Sequence, residues 1–294
     1  FSLTGDYIGK FQPLIGMSRN MLLYERDIWR DIKSIKEVLR FWLNFKKQKR
    51  CFKNASGIIF ISEYAKQYAN NVLDINKKEQ RVISHGVSPQ FNGEVKVQKE
   101  ISAYSFENPF NFLYVSTIHI YKNQWNVVRA INNLRKKGYP LTITLVGGVI
   151  FKPAGDLLQK VIKEVDPEKQ FVKSKGHIAY EKIAEEYRTA SGIIFASHCE
   201  NMPNILMESM ASGVPIVCSN KAPMPEFLKE NGFYFNPRDT ESIEKAIENL
   251  IADPDKRTVM AQNNKDEIKK YSWEKTANDT FNFIQYNYTK HKQQ

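Results

Sequence analysis

The stretch 190-ASGIIFASHCENMPNILMESMASGVPIV-217 reads as strand, loop, helix and strand in immediate succession. Its opening run, residues 193–196, is short and apolar, which suits a strand buried on both faces. A polar loop, Ser197 to Met202, follows, and Pro203 is positioned to start the helix Asn204–Ala211. The run 214-VPIVCS-219 then returns as a strand. The hexapeptide Ala-Ser-Gly-Ile-Ile-Phe that opens this stretch also occurs in 55-ASGIIFISEY-64. Each copy follows a polar helical stretch, residues 33–53 and 180–189, and each passes a serine into a new loop or helix. The chain thus suggests two similar halves.

Outward from these copies, strand-like runs recur: 13-PLIGM-17, 81-RVIS-84, 111-NFLYVS-116, 141-LTITLV-146, 171-FVKS-174 and 232-GFYF-235. Helical stretches separate most of them, at residues 122–137, 155–164, 181–189, 204–211 and 240–251. Alternating strand and helix predicts an α/β fold with parallel sheets and helices on both faces. The second half is complete enough to be one such domain, whereas the first offers about three strands before the polar linker 92-NGEVKVQKEISAYSFEN-108. The expected division is residues 1–100, 104–271 and a closing helix over 272–294. Ser272 is placed to cap that helix, and Trp273, Phe281, Phe283 and Tyr286 are expected to give it a broad apolar face.

Composition narrows the function. The chain has 294 residues, 42% of them hydrophobic, and a formal net charge of +11. Residues 1–100 carry 18 Lys/Arg against 10 Asp/Glu, so most of the excess lies there. Its centre is 33-KSIKEVLRFWLNFKKQKRCFKNA-55, where Ile35, Val38, Leu39, Trp42 and Phe45 recur at helical spacing among basic residues. One reading is an amphipathic helix with a solvated basic face; the functional alternative is attraction to an anionic membrane surface. No nucleic-acid motif accompanies the charge, so no nucleic-acid partner is expected. The longest apolar run, residues 141–151, is far short of the roughly 20 residues a membrane-spanning helix needs. Cys51, Cys199 and Cys218 have neither disulfide nor metal spacing, which fits a reducing cytoplasm, and the five histidines are not spaced as metal ligands. No metal is expected. Asp253-Pro254-Asp255 reads as a helix-ending turn.

In open parallel sheets, ligands bind beyond the carboxyl ends of the strands. The loop 116-STIHIYKNQW-125 puts Lys122 at a strand-to-helix junction, where a lysine can neutralise a phosphate; by itself it is equally a surface lysine. The amides of Asn204, Ile205 and Leu206 open a helix whose dipole favours an anion. Glu200 falls in the loop before that helix, and Glu208 about one and a half turns into it. Carboxylates beside a phosphate site bind hydroxyls, but both are also ordinary acids near a helix start. The glycines of 145-LVGG-148 are compatible with close approach by a ligand.

Taken together, these residues resemble glycosyltransferase family 4, the retaining enzymes of the GT-B fold. Glu200-x7-Glu208 followed by Ser209-Met210-Ala211-Ser212-Gly213-Val214-Pro215 is close to that family's E-x7-E-A-M-A-x-G-x-P signature. The segments 114-YVSTIHIYKNQ-124 and 176-GHIAYEKIAEEYRTASGIIFAS-197 resemble the loops around it, and 272-SWEKTANDTFNFIQY-286 resembles the helix that crosses back to the first domain. The resemblance implies two Rossmann-like parallel-sheet domains facing a cleft, the N-terminal one incomplete here. It implies Glu200 and Lys122 as catalytic residues, the glutamate beside the transferred sugar and the lysine at the diphosphate. Glu208 would bind ribose, and Asn204, Ile205, Leu206, Ser116, Thr117, Gly148, His177 and Ile178 would complete the donor site. The implied partners are a nucleotide-sugar donor and a glycan or lipid-linked acceptor in surface polysaccharide synthesis. The implied cofactor is none, with no divalent metal, and the implied location is the cytoplasm or the inner face of the membrane.

Three departures point to an alternative, a non-catalytic module of the same fold that binds nucleotide or acts as a scaffold. The arginine that commonly precedes the phosphate lysine is replaced by Thr117 or Tyr121. Arg19-Asn20 stands where the family often has a histidine followed by Asp or Asn. The family's first strands and glycine-rich loop would lie upstream of Phe1. In the acidic loop, Asn201 stands where the family has glycine, and is expected to take a left-handed backbone.

Overall fold

A computed structural model describes residues 1–32 and 34–293. In chain order the elements are β1 (Ile15–Ser18), α1 (Arg26–Asp31), α2 (Ile35–Asn54), β2 (Gly57–Phe60), α3 (Glu63–Leu73) and β3 (Glu79–Val82). Then come β4 (Phe110–Val115), α4 (Gln124–Lys136), β5 (Leu141–Val146), α5 (Lys152–Val165), β6 (Val172–Gly176), α6 (Tyr180–Thr189) and β7 (Gly192–Phe195). The chain closes with α7 (Asn204–Ala211), β8 (Ile216–Ser219), α8 (Met224–Leu228), β9 (Phe233–Phe235), α9 (Thr240–Ile251), α10 (Pro254–Ile268) and α11 (Trp273–Lys292). Two compact units result. One gathers Phe1–Gly86, Cys199–Pro203 and Tyr271–Gln294; the other holds Val87–His198 and Asn204–Lys270. The break therefore falls at Gly86, ahead of the polar linker, and the five-residue loop Cys199–Pro203 groups with the first unit.

The second unit is a six-stranded sheet in the order β6-β5-β4-β7-β8-β9. Every pairing is parallel, which is the doubly wound order with its reversal between β4 and β7. Strands β5, β7 and β8 are buried at every residue, as continuous apolar runs covered on both faces must be. The first unit is a parallel sheet of three strands, β1-β2-β3, with Ser2 bridging to Gly16 beside β1.

The repeated hexapeptide now has a physical account. In both copies the Ile-Ile-Phe triplet is fully buried in an internal strand, and the glycine lets a neighbour come close. A Cβ on Gly57 would lie 2.8 Å from the Asn287 amide and 2.9 Å from the Phe283 ring, while one on Gly192 would lie 2.8 Å from the Phe112 ring.

Helix starts follow their capping residues. Ser62 Oγ accepts from Ala65 N at 3.1 Å and Ser272 Oγ from Lys275 N at 3.1 Å. Asp253 does the same for Lys256 N at 2.8 Å, so Asp253-Pro254-Asp255 begins a helix rather than ending one. Proline at the first helical position loses no hydrogen bond, and the aspartate cap fixes the start.

Two amphipathic readings need correction. In α11 the buried stripe is Thr276, Phe283 and Asn287, while Trp273, Phe281 and Tyr286 are exposed. Those three are spread around the helix, so they cannot share its single buried stripe. In α2 the buried residues are Phe41, Gln48, Cys51 and Phe52. Ile35, Leu39, Trp42 and Leu43 point outward and stay exposed; the helix expected over residues 33–53 begins at Lys33, which lies outside the described residues. Among the described residues no helix is long and apolar enough to cross a membrane.

Candidate functional site

The reversal of strand order between β4 and β7 opens a crevice at the carboxyl ends of the second unit's strands. The loop after β4 runs through buried Ser116 and exposed Thr117 into a single turn, Ile120–Lys122. Asn123 then takes a left-handed backbone, with φ of 54°, a conformation asparagine tolerates better than most residues. Its amide Nδ2 donates to the Ala196 carbonyl at 2.9 Å, and His198 N donates to the Tyr121 carbonyl at 2.9 Å. These bonds tie the β4 loop to the β7 loop across the reversal. Lys122 is buried there, its Nζ 5.0 Å from the Tyr121 ring centroid and 5.6 Å from that of Phe195, within cation–π range of both.

Helix α7 follows β7, and the first N–H groups of a helix have no carbonyl within it to bond. Glu208 is half-buried on α7, with Tyr180 Oη donating to its Oε1 at 3.3 Å. Burial pushes the Glu208 carboxyl up to about 7 against a partial opposing effect of Tyr180. Phe91 packs edge-on against Tyr180 and Tyr187, with centroids at 5.4 and 5.8 Å, so the tyrosine that meets Glu208 is held in place. His177 and Ile178 follow Gly176 at the end of β6.

The two glycines after β5 separate in role. Gly147 has φ of +140°, and a Cβ there would lie 2.1 Å from the Ser116 carbonyl oxygen. It is required for the strand ends to approach. Gly148 has room, its nearest neighbour being His177 Cβ at 3.5 Å, and its carbonyl accepts from Ile118 N at 2.9 Å.

His198 exposes positive charge that motif reading did not count. Its pKa is pushed down to about 3, first by burial and then by the charges of Arg238, Lys221 and Lys122. Arg238 Nη2 lies 3.1 Å from His198 Nε2 and Asn123 Nδ2 lies 2.9 Å from Nδ1. A neutral imidazole has one acceptor nitrogen, so only one of these approaches is a hydrogen bond. Arg238 sits after β9 and Lys221 after β8, far in sequence from the lysine loop. The signal that could have found them was their position just past a strand end, Lys221 after Ser219 and Arg238 after Phe235.

The first unit holds the loop Cys199–Pro203. Glu200 is half-buried, and its charge acts on Glu25. Asn201 corrects an expectation: the non-glycine residues with positive φ are Asp74, Asn123, Lys169 and Lys229 among the described residues. Asn201 is instead buried for its hydrogen bonds. Its carbonyl accepts from Ser62 Oγ at 2.6 Å, and its Nδ2 donates to Ser18 Oγ at 3.5 Å. Its Oδ1 is buried without a partner.

Of the residues singled out by sequence, Ser116, Thr117, Lys122, Gly148, His177, Ile178, Asn204, Ile205, Leu206 and Glu208 all fall on the carboxyl-end side of the second unit's sheet. Glu200 falls in the first unit. Among the described residues no three His, Cys, Asp or Glu side chains cluster so as to hold a metal ion.

The sequence model of the family described as "Glycosyl transferases group 1" matches residues 97–267, more than half of the chain. The chain belongs to the group 1 glycosyl transferases. Within that family it is 25% identical over 173 residues to the O-antigen chain mannosyltransferase B of Escherichia coli, covering 58% of this chain and 44% of that one. To the D-inositol 3-phosphate glycosyltransferase of Corynebacterium kroppenstedtii it is 25% identical over 163 residues, 51% of this chain and 35% of that one. The chain spans less than half the length of these two relatives. Among solved structures, the sucrose-phosphate synthase of Thermosynechococcus elongatus superposes with a TM-score of 0.77 at 18% identity, covering 94% of this chain and 68% of that one. Anabaena HepE in complex with UDP and glucose gives 0.71 at 18% identity, with coverages of 93% and 71%. The fold of this group 1 chain is GT-B.

Proposed function

We propose that this chain is the core of a retaining, metal-independent glycosyltransferase. It moves a hexosyl group from a nucleotide-sugar donor to a glycan or lipid-linked acceptor in surface polysaccharide synthesis, on the cytoplasmic face of the membrane. The observation that carries the reading is the strand-order reversal, with buried Lys122 on one side and the start of α7 on the other. A nucleoside diphosphate suits that combination of lysine and helix dipole. The names of the E. coli mannosyltransferase and of the HepE complex with UDP and glucose support it.

In this proposal the bond between the sugar's anomeric carbon and the β-phosphate oxygen breaks, and its electron pair leaves with the diphosphate. Lys122 and the α7 amides of Asn204, Ile205 and Leu206 stabilise that charge, which is the role a metal fills elsewhere. The acceptor oxygen forms the new bond on the same face, and its proton passes to the departing phosphate. Glu208 accepts from the ribose hydroxyls, Glu200 flanks the transferred sugar, and Ser116, Thr117, Gly148, His177 and Ile178 line the donor. Arg238 and Lys221 add positive charge beside His198, which favours the enzyme over a scaffold that has lost its phosphate arginine.

The test is nucleotide-sugar turnover in the presence of a chelator. Lys122→Ala is expected to lower kcat by about 10²–10³-fold, the usual effect of losing one preorganised stabiliser of developing charge; an unchanged kcat overturns the assignment. Attachment to an anionic membrane is proposed through α2, whose exposed Ile35, Leu39, Trp42 and Leu43 are followed by Lys46, Lys47, Arg50 and Lys53.

A further inference from the structure

Two tyrosines on α6 grip α7, and neither is among the residues assigned to the donor. Tyr180 opens α6 and Tyr187 follows two turns later, so both lie on one stripe of that helix. Tyr187 is buried, and its Oη lies 3.4 Å from the Ile205 carbonyl oxygen and 3.4 Å from Ser209 Oγ. Tyr180 is 48% exposed, and its Oη donates to Glu208 Oε1 at 3.3 Å. Ile205 and Glu208 are three residues apart and therefore share one face of α7. Phe91, in the turn Pro89–Phe91, is buried edge-on against both tyrosine rings and wedges them in place. All of these residues belong to the second unit.

The chemistry of this contact bears on what Glu208 can do. An ionised carboxylate accepts about four hydrogen bonds through its two oxygens. A phenol held against Oε1 fixes the plane of the group and leaves lone pairs for ligand hydroxyls. Because the phenol donates, it favours the charged carboxylate, the form that accepts from ribose. Bonds of this charge-assisted kind are shorter and about twice as strong as neutral ones, so the 3.3 Å contact is expected to tighten when Glu208 ionises. Tyr180 opposes the effect of burial on the Glu208 carboxyl. Burial, and then the charge of Glu208, raise the Tyr180 phenol above its ordinary value, so it keeps the proton it donates while Glu208 titrates. Tyr187, pushed up by burial and then by the same charge, also stays protonated.

We propose that Tyr180 is a positioning residue for donor binding: its hydroxyl fixes the Glu208 carboxylate for the ribose hydroxyls, and Phe91 wedges its ring. The inference rests on the glycosyltransferase reading and deepens it by naming a residue that acts on the donor through Glu208. Its test compares the wild-type chain with Tyr180→Phe, which keeps the ring and loses the donor, and with Phe91→Ala. Carbon-13 NMR of glutamate-labelled protein follows the Glu208 carboxyl, identified by its loss in Glu208→Gln. Calorimetry between about pH 6 and about pH 9 gives the affinity for UDP-glucose and GDP-mannose. In Tyr180→Phe the Glu208 midpoint is expected to rise by about half to one pH unit, as loss of a bond to the charged form requires. Donor affinity should fall about two- to fivefold near pH 7 and recover most of that loss by about pH 9. Phe91→Ala should move the midpoint in the same direction. An unmoved midpoint in Tyr180→Phe, or a loss of affinity equal at every pH, overturns the role, because a change of packing alone does not follow the carboxyl's titration. An unmoved midpoint in Phe91→Ala removes the wedge from it. If the midpoint moves as expected but the wild-type chain binds neither donor, the donor reading itself is refuted, and the inference falls with it.

Discussion

Nucleotide-sugar binding should switch on with pH through Glu208. The carboxyl titrates near 7 because burial penalises its charged form, yet ribose hydroxyls donate and therefore select that charged form. Binding must then expel the proton. With a pKa of about 7, the ionised fraction rises from about one part in eleven at pH 6 to about ten in eleven at pH 8. Affinity should increase about tenfold over that interval, ~1.4 kcal/mol, with a slope of one decade per pH unit below it and a plateau above. Calorimetry with UDP-glucose and GDP-mannose is the right assay, because a diphosphate diester has no group titrating there, whereas the terminal phosphate of a free nucleoside diphosphate does. His198, held near 3, is neutral throughout. Glu208→Gln removes the titration, so its profile should be flat and its affinity at pH 8 lower by about 1.5–3 kcal/mol, the worth of hydrogen bonds to a charged group. A flat wild-type profile, or an equal slope in the glutamine variant, refutes the role given to Glu208.

The same linkage acts on stability. Glu25 is raised to about 7 in the folded chain from 4.5, so the fold binds the proton more tightly than the unfolded chain, and stability falls as pH rises between those values. Unfolding free energies of Glu25→Gln and wild type, read by urea denaturation, should therefore diverge in favour of the variant above pH 7, by on the order of 1–3 kcal/mol, and converge below pH 5. Gly86→Ala places a Cβ 2.1 Å from Trp273 N, a backbone atom with little freedom to move. It should cost about 1–3 kcal/mol, as overpacked cores do, read by urea denaturation. Co-sedimentation with phosphatidylglycerol vesicles should fall several-fold in a Leu39→Ser/Trp42→Ser double variant and be weakened by salt, because both burial and charge hold an interfacial helix; unchanged sedimentation removes the membrane from the proposal.

Strand and helix identities were legible because parallel strands buried on both faces are continuous apolar runs, and 204–211 and 240–251 coincide with α7 and α9. What escaped reading depended on direction or on distant partners. Periodicity located α2 and α11 but could not tell which of two apolar stripes faces inward, since Phe41 and Leu39 are equally apolar and only Phe41 is buried. Asn201 was read through its backbone, while its placement depends on hydroxyls at Ser18 and Ser62, far away in sequence. Left-handed geometry occurs instead at Asn123, beside Lys122. Arg238 was invisible because a motif records neighbours in sequence, and its approach to His198 spans 40 residues.

The closing helix has a consequence for how the molecule comes into being. Thr276 Oγ1 donates to the Ser84 carbonyl at 2.8 Å and Lys290 pairs with Glu79 at 2.8 Å, so the first unit is completed by a helix that follows the second unit in sequence. The second unit, nearly continuous in sequence, can fold while translation continues. The first must wait, its Gly57 and Gly86 surfaces uncovered, until α11 has left the ribosome. Cutting the gene after residue 270, where the second unit ends, would spare that unit and leave the first permanently unfinished.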